Sequence, residues 1–137
     1  MLFRSEEIRA HLGPTFNYVV QEDALGTGHA VLQVSKSLGD FAGNLLILYG
    51  DTPLFRPDSI RGLLNRHQLQ RADLTLLTAN VDRSLPYGRI IRDAAGQIID
   101  IIEDTEASPE IREIRELNVG AYVVNAGVIT ADRKSVV

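Results

Sequence analysis

An aspartate stands directly after a strand-like apolar run near the middle of the chain. Residues 45–49 read Leu-Leu-Ile-Leu-Tyr, Gly50 and Asp51 follow, and Pro53 lies just beyond them. A buried strand has such a continuous apolar run, and open α/β sheets bind ligands at the carboxyl ends of their strands. Asp51 is therefore placed to face a metal ion or a phosphate group. An aspartate before a proline is, however, equally typical of a plain turn.

Three glycine-containing loops could also do chemistry. In residues 25–30, Gly26, Thr27 and Gly28 precede a helical pattern, and backbone N–H groups at such a place favour an anion or a polar base edge. Their spacing matches neither the phosphate-binding lysine motif nor the full dinucleotide fingerprint, so a plain start of a helix remains open. Residues 87–89 (YGR) could admit a ligand or begin a strand. In residues 117–120 (LNVG), Asn118 could bind a ligand or local backbone.

The elements that must position these loops follow two periodicities. Residues 6–12, 31–38 and 60–67 carry helical spacing, whereas residues 16–20, 44–49 and 74–81 are typical of strands. This alternation predicts an α/β fold with a mostly parallel sheet and helices on both faces. Residues 88–92 and 97–103 then flank a turn containing Gly96 and predict a β-hairpin excursion, followed by a short helix from Ser108-Pro109 and a strand over residues 117–124.

Composition restricts the function classes. The chain has 137 residues, 45% of them hydrophobic, which suits one globular domain. A formal net charge of −4 without a basic run disfavours nucleic acid and an anionic membrane as partners, and zero cysteines exclude thiolate metal sites. Because the sequence has neither a long apolar span nor a signal-peptide pattern, we expect a cytoplasmic protein. Nothing near His11, His29 or His67 forms a ligand cluster, so structural roles are expected for all three.

Five segments follow one another along the chain in a characteristic order. They are residues 21–30 (QEDALGTGHA), 48–54 (LYGDTPL), 87–90 (YGRI), 102–103 (IE) and 116–120 (ELNVG). In this order they resemble the motifs of sugar-1-phosphate nucleotidyltransferases, and among these most closely the uridyltransferase domains of bacterial bifunctional enzymes that make UDP-N-acetylglucosamine for peptidoglycan. The likeness runs from about residue 9 to about residue 128, and it implies a Rossmann-like, glycosyltransferase-A-like fold.

The resemblance assigns a role to each loop. It implies attack by N-acetylglucosamine 1-phosphate on UTP, which forms UDP-N-acetylglucosamine and pyrophosphate, with Mg²⁺ as cofactor. Because the nucleophile is already an anion, alignment and charge neutralisation suffice and no protein base is needed. The implied residues are Gln21, Gly26, Thr27, Tyr49 and Gly50 for the nucleotide, Asp51 for the metal, and Gly88, Glu103 and Asn118 for the amino sugar.

Departures from the family pattern set further expectations. The family's glycine-rich loop with its catalytic arginine and lysine has no counterpart before Phe16, so no catalytic residue of that loop is retained. We expect residues 1–131 to be a partial, incomplete nucleotidyltransferase domain and the isolated chain to release no pyrophosphate. Residues 132–137 match a translated sequencing adapter and are expected to be a non-native tail. The implied longer parent assembles as a homotrimer through a β-helix domain.

Two other function classes stay open. One is a non-catalytic module that binds nucleotide sugars, which would fit the missing basic loop. The other is a metal-dependent glycosyltransferase, which would also hold a divalent cation at a strand end. The lack of an Asp-x-Asp motif at Asp51, where Thr52 and Pro53 follow, argues against the second class.

Overall fold

A computed structural model describes residues 5–23 and 25–131. The predicted tail at residues 132–137 lies outside the described residues. The chain divides into two compact units, one containing the residues up to Gly43 and those from Ala126, the other residues 44–125. No helix in the described ranges is both long and apolar enough to cross a membrane.

The first unit contains helices α1 (Ser5–Leu12), α2 (Thr27–Ser35) and α5 (Ala126–Ala131). The helices predicted over residues 6–12 and 31–38 are confirmed, although α2 begins earlier and ends at Ser35. A backbone hydrogen bond of 2.8 Å from Ala126 N–H to the Gly43 carbonyl ties the end of this unit to its earlier part.

The strand predicted over residues 16–20 is wrong. These residues form no strand, and Phe16, Val19 and Val20 are exposed. Local contacts hold the segment instead: the Tyr18 hydroxyl donates to the Gly13 carbonyl at 2.5 Å, and the Arg9 guanidinium lies 5.3 Å from the Tyr18 ring centroid. A strand needs a partner edge, and sequence alone could not reveal whether this apolar run has one.

The second unit is a five-stranded sheet with a long helix against it. Its elements are β1 (Asn44–Leu48), α3 (Pro57–Gln70), β2 (Leu74–Asn80), β3 (Arg89–Arg92), β4 (Ile98–Ile102), α4 (Pro109–Arg112) and β5 (Glu116–Asn125). Pro57 at the first helical turn favours the start of α3, and Arg71 in the left-handed conformation ends it. The predicted hairpin is confirmed, with Gly96 at φ +81° between β3 and β4.

The sheet confirms the α/β class but corrects its predicted pairing. Strand β5 lies between β1 and β2 and is antiparallel to both, and its amino end pairs with β3. Every strand pairing among the described residues is antiparallel, so the mostly parallel sheet is wrong. The chain direction of β1 and β2 is the same, as the strand-helix-strand pattern requires. What the pattern could not show is that a later strand inserts between them.

The core of this unit lies between α3 and one face of β5. Leu63 packs with Ala121 and Val123, and Phe55, Leu64 and Leu77 surround them. His67 is buried on the same helix, and its Nδ1 lies 2.9 Å from the Thr75 hydroxyl of β2. This contact agrees with the structural role expected for His67. This packing of α3 on β5 holds the strand ends from which the candidate loops leave.

Candidate functional site

Asp51 lies in the turn that follows β1. The turn is closed by Thr52, whose backbone N–H and hydroxyl both donate to the Tyr49 carbonyl, at 3.4 and 3.3 Å. Asp51 is exposed, and its carboxylate takes part in no hydrogen bond or ion pair with the residues that the structure describes. The turn is therefore held by Thr52, which leaves the Asp51 side chain available to a ligand.

A cleft of about 390 Å³ opens beside this turn. It lies where β1 and β2 end and β5 begins, the edge at which α/β sheets bind ligands. Most of its wall is apolar, and Asp51 provides its charged group. The lining residues are Asp51, Thr52, Pro53, Leu54, Phe55, Ala79, Val81, Leu85, Tyr87, Leu117 and Val119.

A polar cluster on β5 holds the predicted sugar-binding amide. Asn118 is 7% exposed, and its backbone N–H donates to the Gly88 carbonyl at 2.8 Å. Its side-chain Nδ2 donates to the Tyr122 hydroxyl at 2.6 Å, and that hydroxyl lies 2.9 Å from Asn118 Oδ1. The same Oδ1 accepts the Gly120 N–H at 3.3 Å. Asn118 thus makes the local backbone bond that its sequence left open, and its binding of a ligand stays a prediction.

Gly120 and Tyr49 are packed so closely that only glycine fits. Gly120 has φ +74°, and a Cβ built there would lie 2.3 Å from Tyr49 Cδ2. The Tyr49 N–H donates to the Gly120 carbonyl at 3.1 Å, and the Tyr49 hydroxyl lies 3.2 Å from that of Tyr122. Tyr49, predicted to face the nucleotide, is therefore in one network with Asn118, predicted to face the sugar.

Gly88 and Glu103 meet across the start of the hairpin. A Cβ at Gly88 would lie 3.4 Å from both carboxylate oxygens of Glu103 and 3.1 Å from Ile101 Cγ2. Glycine at this position therefore leaves room for the Glu103 carboxylate. With the backbone bond from Asn118 to Gly88, the structure brings together all three residues predicted for the amino sugar.

Tyr122 is the residue that sequence reasoning missed. Its half-buried environment raises the pKa of its hydroxyl well above the usual range, the hydrogen bond with Tyr49 raises it further, and the negative charge of Glu103 acts in the same direction. The hydroxyl therefore stays protonated at neutral pH. In a regular strand, residues four apart point to the same face, but this alternation does not show that the Tyr122 hydroxyl reaches Asn118, which depends on the irregular pairing of β5.

Arg89 braces the loop that carries Gly88. Its side chain is fully buried, pairs with Asp104 at 3.1 Å, and donates to the carbonyls of Tyr87 and Arg112. A buried guanidinium is tolerated only when its N–H groups find such partners. The sequence places a basic residue here, but its burial also depends on Asp104 and on the Arg112 carbonyl, which are 15 and 23 residues away along the chain.

Of the other predicted residues, Gly50 lies in the turn between Tyr49 and Asp51, and Gln21, Gly26 and Thr27 belong to the first unit. Gln21 donates through Nε2 to the Gly26 carbonyl at 3.1 Å, and Gly26, at φ +94°, precedes Thr27 at the start of α2. The ring nitrogens of His29 lie 2.9 Å from Gln21 Nε2 and 2.8 Å from Gln33 Nε2. His29 thus joins the loop to the helix, as expected for a structural histidine, while His11 is exposed.

A divalent cation would find one carboxylate at this site. The described part of the chain holds no group of three or more His, Cys, Asp or Glu side chains arranged to bind a metal. Mg²⁺ commonly uses only one or two protein carboxylates and takes its other ligands from water and substrate phosphates. Asp51, exposed on the cleft wall, fits that pattern and does not fit a cation held by protein alone.

The chain is similar to known proteins in sequence and in fold. The model of the family described as nucleotidyl transferase matches residues 1–136. The bifunctional protein GlmU of Streptococcus equi subsp. zooepidemicus is 42% identical over 120 residues, which are 88% of this chain and 26% of that protein. The bifunctional protein GlmU of Geotalea daltonii is 43% identical over 128 residues, 92% of this chain and 28% of that protein. The chain therefore spans about a quarter of these relatives.

Solved structures share the fold at low identity. A putative glucose-1-phosphate thymidylyltransferase from Bacillus anthracis, crystallised with sucrose, superposes with a TM-score of 0.70 at 21% identity, covering 94% of this chain and 51% of that one. An apo UDP-glucose pyrophosphorylase gives 0.63 at 18% identity, covering 87% of this chain and 45% of that one. Together with the family match and the relatives above, this likeness confirms the resemblance: the chain belongs to the nucleotidyl transferase family.

Proposed function

We propose that this chain carries the sugar-nucleotide site of a uridyltransferase that forms UDP-N-acetylglucosamine and pyrophosphate from UTP and N-acetylglucosamine 1-phosphate. One observation carries the proposal. Gly88, Glu103 and Asn118 lie together, and the Tyr122 hydroxyl links Asn118 to Tyr49. Amide, carboxylate and hydroxyl groups so arranged suit the hydroxyl and acetamido groups of an amino sugar. The relatives named above, at 42–43% identity, support the same assignment.

The reaction places modest demands on the protein. A phosphate oxygen of the sugar phosphate bonds to the α-phosphorus of UTP, and the bond from that phosphorus to the β-phosphate bridging oxygen breaks, which releases pyrophosphate. Catalysis then rests on alignment and on neutralising phosphate charge. Asp51 would hold Mg²⁺, which supplies part of that neutralisation. Glu103 and Asn118 would orient the sugar, and Gln21, Gly26 and Thr27 would contact the base.

Saturation-transfer NMR with UDP-N-acetylglucosamine tests this function. We expect signals from both the acetyl methyl and the uracil protons, each reduced by added UTP. Asn118→Ala should lose the acetyl signal, while Asn65→Ala, on the exposed surface of α3, should keep it. No signal from the ligand, or a uracil signal without any from the sugar, would refute the proposed substrate.

The two alternatives are also separated by measurement. Without another acceptor, a glycosyltransferase would transfer the sugar of the bound nucleotide sugar to water and release UDP, so intact ligand after long incubation with Mg²⁺ argues against it. A binding module would leave the nucleotide sugar intact, and its affinity for UTP would be the same with and without Mg²⁺.

A further inference from the structure

The bulge in β5 brings two side chains together that a regular strand would keep apart. Residues 118 and 122 are four apart, which in a regular strand separates their Cα atoms by about 13 Å. Here β5 pairs Tyr122 with Leu76 and Asn118 with Thr78, so four steps along β5 oppose two along β2. Gly120, at φ +74°, lies at the middle of this irregularity. Bulges of this kind redirect side chains next to functional sites.

The contact made by this bulge leaves the Asn118 amide little freedom. The Tyr122 hydroxyl meets both polar atoms of the amide, at 2.6 Å from Nδ2 and 2.9 Å from Oδ1. Asn118 is 7% exposed, and the backbone N–H of Gly120, two residues further along β5, donates to its Oδ1. A free asparagine amide could turn over and exchange its donor with its acceptor, but this arrangement opposes such a turn.

The same hydroxyl extends the network to a second part of the site. It lies 3.2 Å from the Tyr49 hydroxyl, and the two rings are 6.0 Å apart with an interplanar angle of 51°. Tyr49 in turn precedes Gly50 and Asp51. The Tyr122 side chain therefore stands between the residue expected to recognise the amino sugar and those expected to face nucleotide and metal.

We propose that Tyr122 is a positioning residue of the sugar subsite, which fixes the Asn118 amide for the acetamido or hydroxyl groups of an amino sugar and joins it to Tyr49. This inference rests on the proposed function, since it names the residue that orients the recognition group. Tyr122 itself need not touch the ligand. Its hydroxyl can act only while Gly120 keeps the bulge.

Titration calorimetry compares UDP-N-acetylglucosamine with UDP as ligands. Tyr122→Phe should weaken binding of the sugar nucleotide about tenfold, the effect of losing one fixed hydrogen bond of about 1.4 kcal/mol, and leave UDP affinity within about twofold. In an Asn118→Ala background the same change should add nothing. Tyr18→Phe, which removes the hydroxyl bonded to Gly13, is the matched control and should change neither affinity.

Two calorimetric outcomes would overturn the inference and leave the proposed function standing. One is an unchanged affinity of Tyr122→Phe for the sugar nucleotide. The other is an equal loss of affinity for the sugar nucleotide and for UDP, which would indicate a merely structural tyrosine. Failure of the unaltered chain to bind UDP-N-acetylglucosamine instead overturns the proposed function, and the sugar role of Tyr122 with it. Without ligand, the two side-chain amide proton signals of Asn118 should be well dispersed in the unaltered chain and Tyr18→Phe, and collapse toward free-amide positions in Tyr122→Phe. Unchanged amide signals in Tyr122→Phe would also overturn the positioning role.

Discussion

The two residues proposed for the metal and for the sugar, Asp51 after β1 and Asn118 on β5, differ in their surroundings. Asp51 is exposed on the cleft, whereas Asn118 is buried in a hydrogen-bonded cluster. An exposed carboxylate can gain or lose a hydrated cation without disturbing the fold. A buried amide gives geometric selectivity, because a ligand that lacks the matching group leaves it unpaired.

We expect Asp51→Asn to abolish the effect of Mg²⁺ on UTP binding. The unaltered chain should bind UTP about tenfold more tightly with Mg²⁺ than without it, since a carboxylate and the phosphates together suit this hard cation. Calorimetry with and without Mg²⁺ measures the ratio. Asp73 lies at the opposite end of β2 from the cleft, so Asp73→Asn should show the same ratio of affinities as the unaltered chain. An equal Mg²⁺ gain in Asp51→Asn would show that this carboxylate is not a ligand.

Gly120→Ala should destabilise the chain by about 2 kcal/mol or more. The residue has φ +74°, where alanine is strained, and its Cβ would lie 2.3 Å from Tyr49 Cδ2. Urea unfolding measures the change in the free energy of unfolding. Gly62→Ala is the matched control: Gly62 lies inside α3 with nothing within 4 Å of a built Cβ, so alanine should stabilise by up to about 1 kcal/mol. Similar values for the two variants would refute the close packing of Tyr49.

The sequence reveals residues by their local chemistry but not by their partners. Asp51 could be singled out because an apolar run ends in front of it. Tyr122 could not, because its role depends on a bulge that moves it toward Asn118. Arg89 likewise gave no sign of burial, since two of its partners, Asp104 and the Arg112 carbonyl, are distant in sequence.

Among the elements, β5 organises the second unit. It pairs with β1, β2 and β3, and Glu116 at its start joins two of these neighbours by side-chain contacts. Glu116 receives hydrogen bonds from Arg92 of β3 at 2.6 and 2.7 Å and from Thr78 of β2 at 2.8 Å. These bonds fix the amino end of β5, from which the cleft residues Leu117 and Val119 extend.

The Glu116 contacts predict a pH-dependent stability. The Arg92 hydrogen bond, helped by Thr78, lowers the pKa of Glu116 in the folded chain. A carboxyl with a lowered folded pKa stabilises the fold above its unfolded pKa and loses this contribution as pH falls through the folded value. Glu116→Gln should therefore lower the free energy of unfolding at pH 7, but by less than about 1 kcal/mol, because solvent screens the partly exposed pair. At strongly acidic pH the substitution should leave the free energy of unfolding unchanged.

Denaturant unfolding between pH 7 and pH 3 measures this difference. Glu113→Gln, an exposed neighbour, should match the unaltered chain throughout. A Glu116→Gln deficit that persists unchanged at acidic pH would contradict the assigned role of the charge.

Element existence follows from the sequence more reliably than pairing does. The periodic segments that became α3, β1, β2 and β5 were predicted, as was the hairpin turn at Gly96, because burial and turn geometry leave local patterns. Residues 16–20 show the limit, since an apolar run without a partner edge is no strand. The antiparallel insertion of β5 between β1 and β2 is set by contacts between distant segments, which no local pattern encodes.

At the scale of the whole molecule, burial differs sharply between elements. Ala121 and Val123 of β5 are fully buried, whereas α1 contains no buried residue. Backbone amides open with free energies that follow such differences in packing. We therefore expect native-state hydrogen exchange to be slowest in β5 and fastest in α1. Equal protection of α1 and β5 would contradict this distribution of stability.

We propose above all that the cluster of Gly88, Glu103 and Asn118 recognises the sugar of UDP-N-acetylglucosamine. The most direct test is calorimetric titration of this ligand into the unaltered chain, Glu103→Gln and Glu106→Gln. Glu106 is an exposed glutamate three residues from Glu103 and serves as the matched control. We predict that Glu103→Gln weakens binding at least about tenfold, because a charged acceptor is lost, and that Glu106→Gln binds normally. Equal affinities in all three, or no binding by the unaltered chain, would contradict the claim.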